Sequence, residues 1–135
     1  MNFPELPQGT NVLGVGIDQI EVARIRESLD RHGDTFLRKV FTIQEQKVCM
    51  KRPDPAPCLA ARFAAKEAIA KALGKGIGKE FGWLDLEVLR EENGKPLASF
   101  SDHGMNTLTG LGASSALLSL SHLNEIASAV VVLIK

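Results

Sequence analysis

Two carboxylates in this sequence stand where they could do chemistry. Asp18 ends an apolar run over residues 12–17, and Glu67 lies inside an alanine-rich stretch over residues 59–73. If that stretch is helical, Phe63, Glu67 and Lys71 form one i, i+4, i+8 row, with Arg62, Lys66, Ile69 and Leu73 on a neighbouring row. Two carboxylates with no His or Cys beside them are too few to cage a metal alone. They suit Mg²⁺, which keeps several waters and takes its remaining oxygens from substrate phosphates. Arg62, Lys66 and Lys71 would then face phosphate charge. Plainer readings stand beside these. Asp18 at a strand-to-helix junction can act as an N-cap or first-turn carboxylate. Glu67 can be a surface residue paired with Lys71. His122, at a strand end, can be a hydrogen-bonded structural residue. His32 and His103 lie in polar loop contexts.

Other chemistries lack their residues. The pair Gly14 and Gly16 is without the third glycine of a dinucleotide fingerprint, because Gln19 stands there. The phosphate-cradling P-loop, the serine nucleophile elbow and the zinc-binding His-Glu helix are all missing from the sequence.

The elements that must hold these residues are readable in outline. Residues 1–11, with two prolines, read as a tail, and residues 12–135 as one domain. The run at 12–17 reads as a strand that something approaches closely, given its two glycines. From Gln19 onward Val22, Ile25 and Leu29 recur at helical spacing. Thr42 followed by Glu45 resembles a capping box. Pro53, Pro55 and Pro57 mark a loop. The stretch at 59–73 holds seven alanines and is the clearest helix, with Gly74 as its C′ residue. Alternation predicts a half-buried strand over 84–89, Asn93-Gly94 a hairpin turn, and residues 96–100 the returning strand. A short helix is expected over 102–111 and two last strands over 116–121 and 126–134. The last is apolar on both faces, so it is expected to be central or covered. The fold class is α+β, a mostly antiparallel sheet packed on two main helices.

Composition bounds the function further. The chain has 135 residues, 44% hydrophobic and 24% charged, with 16 basic and 16 acidic side chains. That suits one soluble globular domain. Zero net charge argues against a general nucleic-acid binder. The neutrality is local cancellation: residues 24–75 hold 12 basic and 6 acidic side chains, and the remainder holds 4 and 10. No apolar stretch is long enough for a membrane span, and the N-terminus does not read as a secretory signal. Cys49 and Cys58 are expected as reduced thiols in a cytoplasmic protein.

The motifs together resemble a family. Gly14-Val15-Gly16-Ile17-Asp18, with Arg24-Ile25 in the following helix, is similar to the N-terminal motif of the holo-acyl-carrier-protein synthases, the short bacterial-type 4′-phosphopantetheinyl transferases. Residues Arg62 to Ala68, continuing through Lys71 and Gly74 to Gly78, resemble the central motif, and Asn93 to Pro96 and Ser119-Leu120-Ser121-His122 the later ones. The resemblance implies transfer of phosphopantetheine from coenzyme A to a serine of apo-acyl carrier protein, with release of adenosine 3′,5′-bisphosphate. It implies Asp18 and Glu67 as Mg²⁺ ligands and Lys71 at the phosphates. Glu67 is also implied in proton transfer. Arg62, Lys66, Gly74 and His122 are implied on the coenzyme A side, Lys51 and Arg52 at its 3′-phosphate, and Arg24 and Arg31 on a carrier-docking helix. A homotrimer with sites between subunits is implied as well. A non-catalytic coenzyme A or nucleotide-binding module, or a structural oligomer built on the apolar sheet, are the competing readings.

Overall fold

The computed structural model describes Gly9 and residues 11–135, so the tail expected at 1–11 falls almost wholly outside the described residues. Strand β1 (Val12–Glu21) leads into helix α1 (Val22–His32), α2 (Asp34–Val40), α3 (Ile43–Met50) and α4 (Ala56–Ala72). A short 3₁₀ turn over Trp83–Asp85 precedes β2 (Leu86–Arg90) and β3 (Pro96–Phe100). Helix α5 (Asp102–Gly110) and strands β4 (Ser115–His122) and β5 (Ile126–Ile134) complete the chain.

The expected α+β class holds, but the strands form two antiparallel sheets rather than one. β1, β5 and β4 make a three-stranded sheet with β5 in the middle, and β2 pairs with β3 as a separate hairpin. The last strand is central as expected, but only the face of Ala127, Ala129, Val131 and Leu133 is buried, and the face with Val130 stays partly exposed. Five helices surround these sheets, α1 and α4 being the longest at 11 and 17 residues.

Helix α4 is the axis of the fold. Twelve of its side chains are buried, so it is a core helix rather than a surface one. Its many alanines let other backbone come close. A Cβ at Gly14 would stand 2.7 Å from the carbonyl oxygen of Ala72, and one at Gly16 would run into the carbonyl of Ala68. Only glycine lets β1 lie directly on the helix backbone here. The helix begins three residues earlier than the periodicity predicts, with Pro57 in its first turn, where a missing N–H costs nothing. Gly74, at φ +71°, follows its C-cap.

Other boundaries shifted for clear reasons. β1 runs to Glu21 because its backbone pairs with β5 all the way to Ile126. Asp18 is consequently a mid-strand residue opposite Ala129, not a helix cap. The expected strand over 84–89 starts only at Leu86, since Leu84 belongs to the 3₁₀ turn. The capping box at Thr42 is present: Glu45 N–H donates to Thr42 Oγ1, and Thr42 N–H to Glu45 Oε1.

The expectation of free thiols is overturned. Cys49 and Cys58 are joined in a disulfide, with their Cα atoms 5.4 Å apart. Two helix ends that pack against each other bring the cysteines within bonding reach, which their sequence spacing could not reveal. The bridge closes the three-proline loop that carries Lys51 and Arg52, and Arg26 holds the same loop through Asp54 at 2.7 Å.

Candidate active site

The close approach of β1 to α4 decides the site. Along β1, Gly14, Gly16 and Asp18 alternate onto one face of the strand, and the two glycines press on α4. Asp18 therefore emerges beside the last two turns of that helix. There it meets the row of α4 that stays partly open: Phe63, Glu67 and Lys71, flanked by buried neighbours. The predicted i, i+4, i+8 row is the row that the fold leaves accessible.

Lys71 Nζ donates to Asp18 Oδ1 at 2.8 Å and to the backbone carbonyl of Ile17 at 3.2 Å. Glu67 carries no such clamp, and burial pushes its carboxyl above the usual range; the nearby Asp18 charge adds to the rise and Lys71 opposes it. Two carboxylates thus share a half-buried space with one ammonium between them. Excess negative charge of this kind attracts a cation, and an oxygen-only donor pair suits a hard one such as Mg²⁺. No group of three or more His, Cys, Asp or Glu that could hold a metal occurs among the described residues, so the remaining ligands would have to come from water and substrate.

The neighbouring row of α4 behaves otherwise. Lys66 is fully buried, and its ammonium donates to the carbonyls of Trp83 and Leu86, both at 2.6 Å, and to Glu45 at 2.8 Å. Burial lowers its pKa and the Glu45 charge counters that. The phosphate-facing geometry expected for Lys66 is absent: its donors are spent inside the protein, knitting α4 to α3, the 3₁₀ turn and β2. Glu45 completes the knot by accepting from Val88 N–H at 2.9 Å. Nothing in the sequence flagged Glu45 beyond its capping role, because its partner lies on another element.

Arg62 points away from the carboxylates. One guanidinium nitrogen donates to the Cys58 carbonyl at 3.4 Å and its Sγ at 3.2 Å, while Nε and Nη2 are buried without a partner. Burial pushes this group down to about 10, so it remains charged at neutral pH. His122, the last residue of β4, lies on the same flank. Burial lowers its pKa, followed by the positive charges of Arg52, Arg90 and Arg62. Arg90 was not singled out from sequence, since a lone arginine at a strand end carries no signal.

Within one chain the residues therefore form two groups. Asp18, Glu67 and Lys71 lie at the β1 edge of the sheet. Arg62, Arg52, Arg90 and His122 gather at the β4 edge. Asp18 and His122 are two strands and two register steps apart, roughly 12 Å on standard sheet spacing. Lys51 is exposed beside Arg52, and Gly74 is exposed past the end of α4. Arg24 and Arg31 are exposed on α1 and flank a groove of about 240 Å³ that Ile20 and Phe63 also line. Through Phe63 this groove leads to the open row that holds Glu67.

Comparisons with known proteins show the family to which the fold belongs. A profile of the 4′-phosphopantetheinyl transferase superfamily matches residues 14–130. A holo-acyl-carrier-protein synthase of Protochlamydia amoebophila is 48% identical over 118 residues, which are 87% of this chain and 93% of that protein. The crystal structure of the synthase from Neisseria meningitidis superposes with a TM-score of 0.85 at 31% identity, over 92% of this chain and 99% of that one. The synthase of Helicobacter pylori, in complex with coenzyme A, gives a TM-score of 0.79 at 33% identity, over 88% and 98% of the two chains.

Proposed function

Because the chain belongs to the 4′-phosphopantetheinyl transferase superfamily, as an enzyme of the holo-acyl-carrier-protein synthase kind, we propose that it moves 4′-phosphopantetheine from coenzyme A to a serine of an apo-acyl carrier protein with Mg²⁺. The observation that carries this reading is the Asp18, Glu67 and Lys71 constellation on the open row of α4. Asp18 and Glu67 would hold the metal, which when bound neutralises diphosphate charge and polarises the phosphoryl group under attack. The carrier serine oxygen attacks the β-phosphorus, the bond to the adenosine moiety breaks, and adenosine 3′,5′-bisphosphate leaves. Lys71 offsets charge on the leaving phosphate. Glu67, its carboxyl raised by burial, is placed to accept the serine proton when it is ionised.

The cation group at the β4 edge suits the remaining phosphate. Arg62 adds buried positive charge beneath this edge, and Arg52, Lys51 and His122 add charge and hydrogen-bonding capacity. We read these two groups as halves of sites shared between subunits of a homotrimer, in which the β1 edge of one subunit meets the β4 edge of the next. Gly74 borders the Lys71 end, where its missing side chain leaves room for ligand. Lys66 supports the site from inside the protein. Arg24 and Arg31 serve as docking cations for an acidic carrier helix. No helix among the described residues is long and apolar enough to cross a membrane, and the reading places the enzyme in the cytoplasm, where coenzyme A and carrier proteins meet.

The test is intact-mass analysis of an apo-carrier protein incubated with enzyme, coenzyme A and Mg²⁺. The carrier should gain one phosphopantetheine, and Asp18→Asn or Glu67→Gln should abolish the gain without unfolding the enzyme. Coenzyme A binding with no gain on any carrier would favour a non-catalytic binding module.

A further inference from the structure

The ammonium of Lys71 holds one of the two oxygens of a carboxylate that a metal at this site would also use. It lies 2.8 Å from Asp18 Oδ1, and its other tether is a single hydrogen bond to the Ile17 carbonyl at 3.2 Å. The two side chains are 29% and 16% exposed, so the pair is partly shielded and stronger than one in open water. We propose that Lys71 is an internal counter-ion of Asp18, which competes with a divalent cation for the carboxylate and transfers to the coenzyme A diphosphate when that cation binds.

This rests on the assignment of Asp18 and Glu67 as metal ligands and adds an order of charge exchange to it. A dication and an ammonium on one carboxylate repel each other and compete for its charge, so each weakens the hold of the other, and Lys71 is the mobile one. Its flexible stem rises from the open row of α4, one helical turn beyond Glu67. Lys66, one turn before on the buried row, has three partners and cannot move in this way. Phosphate oxygens give the displaced ammonium a new partner. Metal and coenzyme A therefore help each other bind, and by linkage the benefit is equal in both directions. Without a phosphate ligand, the metal has to compete with Lys71, which has no other anion to move to, so it binds weakly. The arrangement keeps the carboxylate pair from holding a dication tightly before the substrate is present.

The test is Mn²⁺ binding followed by electron paramagnetic resonance, with and without coenzyme A. The proteins are wild type, Lys71→Met, Lys71→Arg, Asp18→Asn and Glu67→Gln, each checked for folding by circular dichroism. Without coenzyme A, Lys71→Met should bind Mn²⁺ about tenfold more tightly than wild type, within the usual range of site coupling. Lys71→Arg should match wild type. Coenzyme A should tighten Mn²⁺ strongly in wild type and much less in Lys71→Met. If Lys71→Met binds no more tightly, or shows the same coenzyme A effect, while Asp18→Asn loses Mn²⁺, the counter-ion role is overturned and the metal site stands. If Asp18→Asn and Glu67→Gln both leave Mn²⁺ binding unchanged, the metal assignment falls and the exchange with it. Lys71→Gln replaces Lys71→Met should the latter not fold.

Discussion

At the scale of single residues, charge and burial separate three lysines and arginines that one motif places side by side. Lys71 is open, Lys66 is sealed, and Arg62 is buried with donors to spare. Lys66→Met should cost about 3–5 kcal/mol, the usual penalty for stranding a buried partner charge, here Glu45. Urea denaturation measures this, and a loss under 1 kcal/mol would mean that Glu45 is compensated elsewhere. His122 gives a pH signature. Its folded pKa lies below the ordinary 6.5, so the unfolded chain binds more protons between the two values. Its contribution to stability is present above 6.5 and is lost as the pH falls toward the folded value. Thermal melts of His122→Gln should therefore fall less over that acidic window than those of wild type. The sequence made Asp18, Glu67 and Lys71 legible because helical periodicity alone puts the last two on one row. It set Lys66 on a neighbouring row but could not show that this row is sealed inside the protein. That distinction depends on Glu45, Trp83 and Leu86, which only tertiary packing brings together.

At the scale of elements, the contact of β1 with α4 sets the geometry of the carboxylate pair. Gly16→Ala places a methyl group against the Ala68 carbonyl, which is backbone and cannot rotate aside. Overpacking of this kind costs about 1–3 kcal/mol, and the strand has to lift, carrying Asp18 away from Glu67. The midpoint of chemical denaturation should fall, and transferase activity should drop more than the stability loss explains. Normal activity would show that Asp18 does not depend on this contact. The glycine spacing announced a close approach in the sequence, although not to which element. The extension of β1 past Asp18 was hidden, because Gln19 to Glu21 look helical or polar by type. Their strand conformation is imposed by pairing with Ile126 to Ser128. The prolines before α4 misled in the same way: Pro57 reads as a breaker and sits as a first-turn residue.

At the scale of the whole molecule, the sheet is covered by α4 on one face only. On the other, Ile17 is 59% exposed and Leu117 56%, opposite Val130 and Val132 of the central strand respectively. Apolar strand faces left to water favour association. Ile17→Glu should therefore convert the proposed trimer into smaller species by light scattering after size exclusion, and should remove activity with it. An unchanged mass would place the assembly surface elsewhere. The acidic and basic halves seen in composition acquire a location too: the basic stretch of residues 24–75 contains α1, the disulfide-closed loop and α4.

The separation of the Asp18 group from the His122 group on opposite edges of one sheet has a consequence for inheritance of activity in mixed assemblies. Asp18→Asn spoils one edge of its own chain and leaves the other edge intact; His122→Ala does the reverse. Neither variant alone would form a complete site. Co-expressed in equal amounts, they would join intact edges at about a quarter of the junctions in a closed ring of random subunits. Two dead enzymes would then complement each other, which two defects confined within one subunit's own pocket could not do.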